Sequence, residues 1–198
     1  MTTARIVLFD LGGVLLPFDR ERRVRAMVAA LGITAEAARA FMASDIHARL
    51  DLGEASEEEV AAALSEVAGR AVSPAETRAL ILSVFEPPNL VLWDAVAKLR
   101  RRVTVGGFSD NPAFVAGLFP SGAVLEPMFW SAELHLSKSG PEAFAAVTAR
   151  LGLDPAAIVF VDDSEANVAR AKAAGWDAIR FRANDQLIEA LSERRLRA

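Results

Sequence analysis

The sequence predicts an α/β protein: a doubly wound parallel sheet with a helical subdomain inserted after its first strand. Three observations predict it. Ile6-Val7-Leu8-Phe9 and Ile158-Val159-Phe160-Val161 are short unbroken apolar runs, the pattern of strands buried on both faces of a parallel sheet. From residue 89 onward, strand-like and helix-like segments alternate, as such a sheet requires. Between residues 17 and 86 there are helical stripes with no strand among them. The predicted division is therefore a core of residues 1–16 and 87–198, with residues 17–86 inserted.

The stretch from Arg5 to Leu15 opens the core. Its strand ends at Asp10, and Gly12-Gly13 let the chain turn close to whatever Asp10 holds. Pro17 and Asp19 then mark a break. Val24, Met27, Val28 and Leu31 recur at helical spacing before Gly32, giving a first helix. Thr34 caps a second, with Met42, Ile46 and Leu50 four apart. Ser56 and Glu59 form a capping box ahead of Val60, Leu64 and Val67. Ser73-Pro74-Ala75-Glu76 repeats the signature with proline at the first helical position, and Leu80, Ile81, Val84 and Phe85 follow. Four helices are thus expected in the insert, with Pro87-Pro88 as the hinge back and Asp51-Leu52-Gly53-Glu54 as a candidate loop of the insert.

In the second part of the core, Leu92, Val96 and Leu99 mark a helix, and the strand beginning Val103-Thr104-Val105 ends near Phe108-Ser109. A short helix is expected over Asn111 to Leu118 and a strand-like segment over Met128 to Leu134. Pro141 opens a helix bearing Phe144, Val147 and Leu151. The strand at Ile158 ends at Asp162-Asp163, and a helix from Glu165 to Ala174 stops at Gly175. Ala178 to Phe181 is a strand and Asp185 to Leu196 the last helix. Arg194, Arg195 and Arg197 sit where positive charge suits a helix C-terminus.

Composition excludes several function classes. With no cysteine among 198 residues there is no disulfide framework, thiolate zinc site or cysteine nucleophile. A net charge of -4 argues against general nucleic-acid binding. No apolar run approaches a membrane span, and Met1-Thr2-Thr3 leads directly into the first strand. The expectation is a cytoplasmic protein, a monomer or homodimer, with no nucleic-acid or membrane partner.

Three later positions repeat the situation of Asp10, each at a strand end or just before a helix. Ser109-Asp110-Asn111-Pro112 offers a hydroxyl and backbone N–H groups to an anion, or else simply caps the next helix. Asp162-Asp163 places two carboxylates side by side; a divalent cation relieves their repulsion, and all-oxygen donors favour Mg²⁺, with helix capping as the alternative. Lys138 precedes a helix, where a lysine alone reads as solvated surface. In open α/β sheets, ligands bind outside the carboxyl ends of the strands, where all four would meet.

In that order and spacing, the chain resembles the haloacid dehalogenase-like (HAD) hydrolase superfamily over essentially its whole length. Phe9-Asp10-Leu11-Gly12-Gly13-Val14-Leu15 is similar to its first motif, Ser109 to the second, and Lys138 with Pro141-Glu142-Ala143-Phe144 to the third. Val161-Asp162-Asp163-Ser164-Glu165-Ala166-Asn167-Val168 is similar to the fourth. The resemblance implies a Rossmann-like core with residues 17–86 as a cap, and a phosphatase of a small phosphorylated substrate. It implies Asp10 as nucleophile forming an aspartyl-phosphate, with Lys138, Ser109 and position 110 on the phosphoryl group. Mg²⁺ would be held by Asp10, the Gly12 carbonyl and Asp163, with Asp162 assisting.

One position departs from the pattern. Most phosphatases of the superfamily carry a second Asp two residues after the nucleophile, as general acid and base; here it is Gly12. Such groups contribute about 10²–10⁴-fold, and the loss matters least for acidic leaving groups. Chains beginning DLG resemble a branch that includes sugar-1-phosphate phosphatases. Asp19, His47 and His135 are candidates for a replacement acid. Asp110, where relatives often carry Asn, adds negative charge beside the phosphate site. A metal-independent dehalogenase-type hydrolase and a non-catalytic phosphate-binding protein are the alternatives, and the acidic pair favours the metal-dependent reading.

Overall fold

A computed structural model describes residues 6–196. Five parallel strands, β1 (Ile6–Phe9), β2 (Thr104–Ser109), β3 (Met128–Trp130), β4 (Ile158–Asp162) and β5 (Asp177–Arg180), form one sheet in the order β3-β2-β1-β4-β5. The order reverses at β1, which pairs with β2 on one side and β4 on the other. The crevice of a doubly wound sheet opens at that point, beyond the carboxyl ends.

The sheet is buried on both faces, as its unbroken apolar strands require. Val7 and Phe9 of β1 join a cluster that includes Leu92, Val96 and Leu99 of α6 (Leu90–Leu99) and Leu187 and Leu191 of α10 (Asn184–Glu193). The alternate residues Ile6 and Leu8 face a second cluster. It contains Phe144 and Val147 of α8 (Pro141–Leu151) and Val168 and Ala171 of α9 (Glu165–Ala173). Phe108, Phe144, Phe160 and Trp176 meet there at ring-centroid distances of 5.3–6.2 Å, the separations at which aromatic pairs add to simple burial.

Five helices, one more than expected, lie between β1 and α6: α1 (Arg20–Leu31), α2 (Ala35–Met42), α3 (Asp45–Asp51), α4 (Glu57–Ala68) and α5 (Pro74–Leu82). They share a core of their own, with Val24, Met27, Phe41, Leu64 and Leu80 among its members. Val28, expected on the buried stripe, is exposed, whereas Arg23 is buried. The helix expected from Thr34 through Leu50 is broken at Ala43-Ser44, where Ser44 Oγ donates to the Phe41 carbonyl at 2.5 Å. A serine bonded to its own backbone competes with helix continuation, and α3 restarts beyond the break, with His47 and Asp51 lining the cavity beside the strand ends. The capping box of Ser56 and Glu59 is present in both directions.

Two segments join this unit to the sheet, and they lie side by side. Asp19 N–H donates to the Val84 carbonyl and Glu86 N–H to the Pro17 carbonyl. The segment 128–134 is half strand: β3 ends at Trp130 and a single helical turn, α7 (Ser131–Leu134), follows. The turn over 113–118 is a 3-10 helix. Arg194, expected as solvated helix end, pairs with Asp177 at 2.6 Å and ties α10 to β5. Arg197 and Met1 to Arg5 lie outside the described residues.

Candidate active site

Asp10 follows β1 directly, its N–H bonded to the Val161 carbonyl of β4 at 2.8 Å. The pairing of β1 with β4 therefore sets where the Asp10 side chain stands relative to Asp162. Lys138, between α7 and α8, is almost fully buried, and its ammonium lies 2.8 Å from both Asp10 Oδ1 and Asp162 Oδ2. The rings of Phe108 and Phe160 stand 5.8 and 5.6 Å from the same nitrogen. Burial works against the ammonium, but Asp10, Asp162 and Asp110 outweigh it and push its pKa up. Lys138 is therefore not the solvated lysine that its sequence setting alone suggested.

Asp10 Oδ1 also accepts the Leu11 N–H at 2.7 Å. Burial, opposed by Lys138 and reinforced by Asp162, pushes the Asp10 carboxyl above the usual carboxylate range. Asp162 is wholly buried; its oxygens accept from Lys138, the Ser164 N–H and the Asn167 amide at 2.8–3.3 Å. Asp163 is more open, and burial followed by the Asp162 charge raises its carboxyl. It packs against Gly13, whose φ of 75° suits glycine and where any Cβ would collide with the Asp163 carboxylate.

The carboxylates of Asp10, Asp162 and Asp163 each offer an oxygen within 4.8 Å of the others. Three carboxylates against one ammonium leave negative charge that burial makes costly, and an all-oxygen donor set of this kind fits a small hard divalent cation. Among the described residues, this is the group able to hold a metal.

Ser109 ends β2, fully buried, and its Oγ accepts the Asn111 amide at 3.0 Å. That bond leaves the hydroxyl hydrogen to donate elsewhere. Asp110 departs from expectation. Its carboxylate accepts from Ser137 Oγ and from the Lys138 backbone N–H at 2.9–3.1 Å. Those bonds commit its side chain to holding the Lys138 loop, so that position 110 has only its backbone to offer a phosphate. Sequence reasoning gave no role to Asn111, Asn167 or Arg23; Arg23 sits four residues before Met27, on the same helix face, and that spacing was its one signal.

A cavity of about 520 Å³ lies between the helical insert and the strand ends, lined by Gly12, Phe18, Arg23, His47, Asp51 and Asp110 among others. That is the size range of a small-molecule site. His47 reaches it, but Arg23 Nη1 donates to its Nε2 at 2.7 Å. Burial, then the Arg23 charge, lowers its pKa to about 4. Asp19 caps α1 and pairs with Arg25. His135 bonds the Leu52 carbonyl at 2.8 Å through Nδ1. The candidate replacement acids are thus all occupied.

A family model described as haloacid dehalogenase-like hydrolase matches residues 4–175. The D-ribitol-5-phosphate phosphatase of Bacteroides thetaiotaomicron is 26% identical over 183 residues, 86% of this chain and 88% of that protein. A HAD family enzyme from the same bacterium, solved with magnesium and inorganic phosphate, superposes with a TM-score of 0.79. It is 27% identical, with 91% of this chain and 95% of that one covered. A HAD-like family hydrolase from Porphyromonas gingivalis shares the fold at a TM-score of 0.83 and 23% identity, covering 97% and 98% of the two chains.

Proposed function

The chain belongs to the haloacid dehalogenase-like hydrolase family, and from that premise we propose a Mg²⁺-dependent phosphatase of a small phosphorylated metabolite. The observation that carries the reading is the buried Lys138 ammonium bridging Asp10 and Asp162 beside a third carboxylate. A phosphoryl group needs cationic charge on several oxygens at once, which the buried ammonium and a cation on the three carboxylates would supply together.

Asp10 is the nucleophile. Lys138 and the Leu11 N–H hold its Oδ1, which fixes the carboxylate while Oδ2 attacks phosphorus, forming an aspartyl-phosphate as the ester P–O bond breaks and the alcohol departs. Lys138 also meets the phosphoryl oxygens, and the Ser109 hydroxyl donates to one of them, with the backbone at position 110 beside it. Asp10, Asp163 and the Gly12 carbonyl would hold Mg²⁺, with Asp162 assisting while it orients Lys138. When bound, the cation offsets the charge on the phosphoryl oxygens. Water then attacks phosphorus and frees Asp10.

Residues 17–86 act as a cap that selects the substrate, on a core of residues 1–16 and 87–198. The cavity between them and the relative's substrate together favour a phosphate monoester of a small sugar or polyol. Gly12 offers no proton to the departing alcohol, so acidic leaving groups demand least of this site.

The test is phosphate release from p-nitrophenyl phosphate and a panel of sugar and polyol phosphates. Turnover should require Mg²⁺, stop with EDTA, and fall by at least about 10³-fold in Asp10→Asn, which lacks a nucleophile. Turnover without metal, halide release from a 2-haloacid, or phosphate binding without hydrolysis would each overturn the reading.

A further inference from the structure

We propose that Asp51, on the helical insert, supplies the proton that position 12 cannot, so that the enzyme also cleaves phosphate esters of ordinary alcohols. The inference rests on the phosphatase reading and extends it. Asp51 closes α3 and lines the same cavity as Gly12 and Asp110. The core fastens it there: Ser131 Oγ donates to the Asp51 carbonyl, His135 Nδ1 bonds the Leu52 carbonyl, and Gly53 packs on the Ala132 carbonyl. Residue 51 is thus held by α7, which follows directly on β3, and its carboxyl stays a third exposed.

The other acids lining the cavity are engaged. Glu21 forms a two-point ion pair with Arg39, which holds its carboxyl below the usual range. Asp110 is committed to Ser137 and the Lys138 N–H. His47 is excluded by its tautomer. A guanidinium can only donate, so Nε2 accepts from Arg23 and the ring proton resides on Nδ1. Nδ1 lies 3.6 Å from Asp51 Oδ2, beyond hydrogen-bond reach, so the neutral ring leaves that carboxyl uncommitted. The Cβ of any residue at position 12 would meet the Phe18 ring at 3.6 Å, which marks Phe18 as the neighbour where the missing side chain would stand.

The groups facing Asp51 are His47 on its own helix, Arg23 of α1, Asp110 beyond β2, and His135 at the neighbouring carbonyl. Burial raises the Asp51 carboxyl to about 7; Arg23 opposes this and Asp110 adds to it. A general acid poised near neutrality is matched to its task. In the first half-reaction, the Asp10 oxygen bonds to phosphorus as the ester P–O bond breaks, and the alkoxide takes the Asp51 proton. In the second, Asp51 as carboxylate takes a proton from water as its oxygen bonds to phosphorus and the Asp10–phosphorus bond breaks. Phosphate leaves and Asp51 is protonated again.

The experiment compares kcat/KM for ribitol 5-phosphate, with an alkyl leaving group, and p-nitrophenyl phosphate, in wild type and Asp51→Asn with Mg²⁺. Because kcat/KM reports through leaving-group departure, the expected result is a loss of about 10²–10⁴-fold for the alkyl ester and only a few-fold for the aryl ester. Equal losses on both, or no loss on the alkyl ester, would overturn it. If the variant fails to fold, the wild-type pH profiles decide. The alkyl ester should lose kcat/KM as pH rises through about 7 while the aryl ester does not, and coincident profiles would overturn the assignment. A wild type that releases phosphate from neither substrate overturns the phosphatase reading, and this inference with it. A wild type active on both, whose Asp51→Asn variant is equally active, overturns the inference alone.

Discussion

Lys138 and His47 show how a neighbour's charge sets the state of a buried side chain. Around Lys138 three carboxylates overcome the burial penalty and keep the ammonium charged. Around His47 burial and the Arg23 guanidinium act together, and the ring stays neutral to about pH 4. The sign of the stability effect follows. Between pH 6.5 and 4 the unfolded chain binds a proton at His47 that the folded chain refuses, so the stability present above pH 6.5 is lost as pH falls. The limiting loss is about 3 kcal/mol, reached near pH 4 and below. His47→Gln keeps an acceptor for Arg23 but does not titrate. Denaturant melts from pH 7 to 4.5 should show a shallower decline for this variant than for wild type, and parallel declines would count against the assignment.

The loop after α3 shows why element boundaries matter to the site. A new helix, α3, starts after the break at Ala43-Ser44, and residues 51–53 at its end dock on α7. Gly53 allows this twice over, through its φ of 67° and its contact with the Ala132 carbonyl, where a Cβ would collide with backbone. Gly53→Ala should therefore lift the loop and move Asp51. We expect kcat/KM for an alkyl phosphate to fall by about tenfold or more and stability to drop by about 1–2 kcal/mol. Kinetics and thermal melts check both. The same contacts explain how far the elements were legible. Caps such as Ser56 with Glu59 are local chemistry, readable from spacing. The division of one expected helix into α2 and α3 falls at Ser44, whose hydroxyl and N–H both bond the Phe41 carbonyl, and no hydrophobic period records that.

At the scale of the molecule, the sheet order β3-β2-β1-β4-β5 brings residues 10, 109, 138 and 162–163 together from across the chain. The carboxylates so gathered carry more negative charge than Lys138 neutralises. A cation that binds only the folded state stabilises it by about 2.7 kcal/mol at a hundredfold excess over its dissociation constant. For a chain of this length, that corresponds to a rise in Tm of roughly 5–10 °C. Mg²⁺ should produce that rise, EDTA should reverse it, and Asp163→Asn should reduce it markedly. Among the described residues no helix is long and apolar enough to cross a membrane.

The sequence by itself determined the fold class, the strand ends and the four positions to watch, because burial on both faces of a parallel sheet and helix capping are written in local order. Local order marked Asp10, Asp162 and Asp163 as strand-end carboxylates; Lys138 stood out only through the family resemblance, and neither decided what each one touches. The tertiary structure decided that Asp110 braces the Lys138 loop, that Arg23 is buried against His47, and that Asp51 reaches the cavity. The first contact forms within the core, between the end of β2 and the Lys138 loop, and the second within the insert, between α1 and α3. The third needs the insert docked on α7, and all three join residues far apart in the chain, which no local spacing encodes.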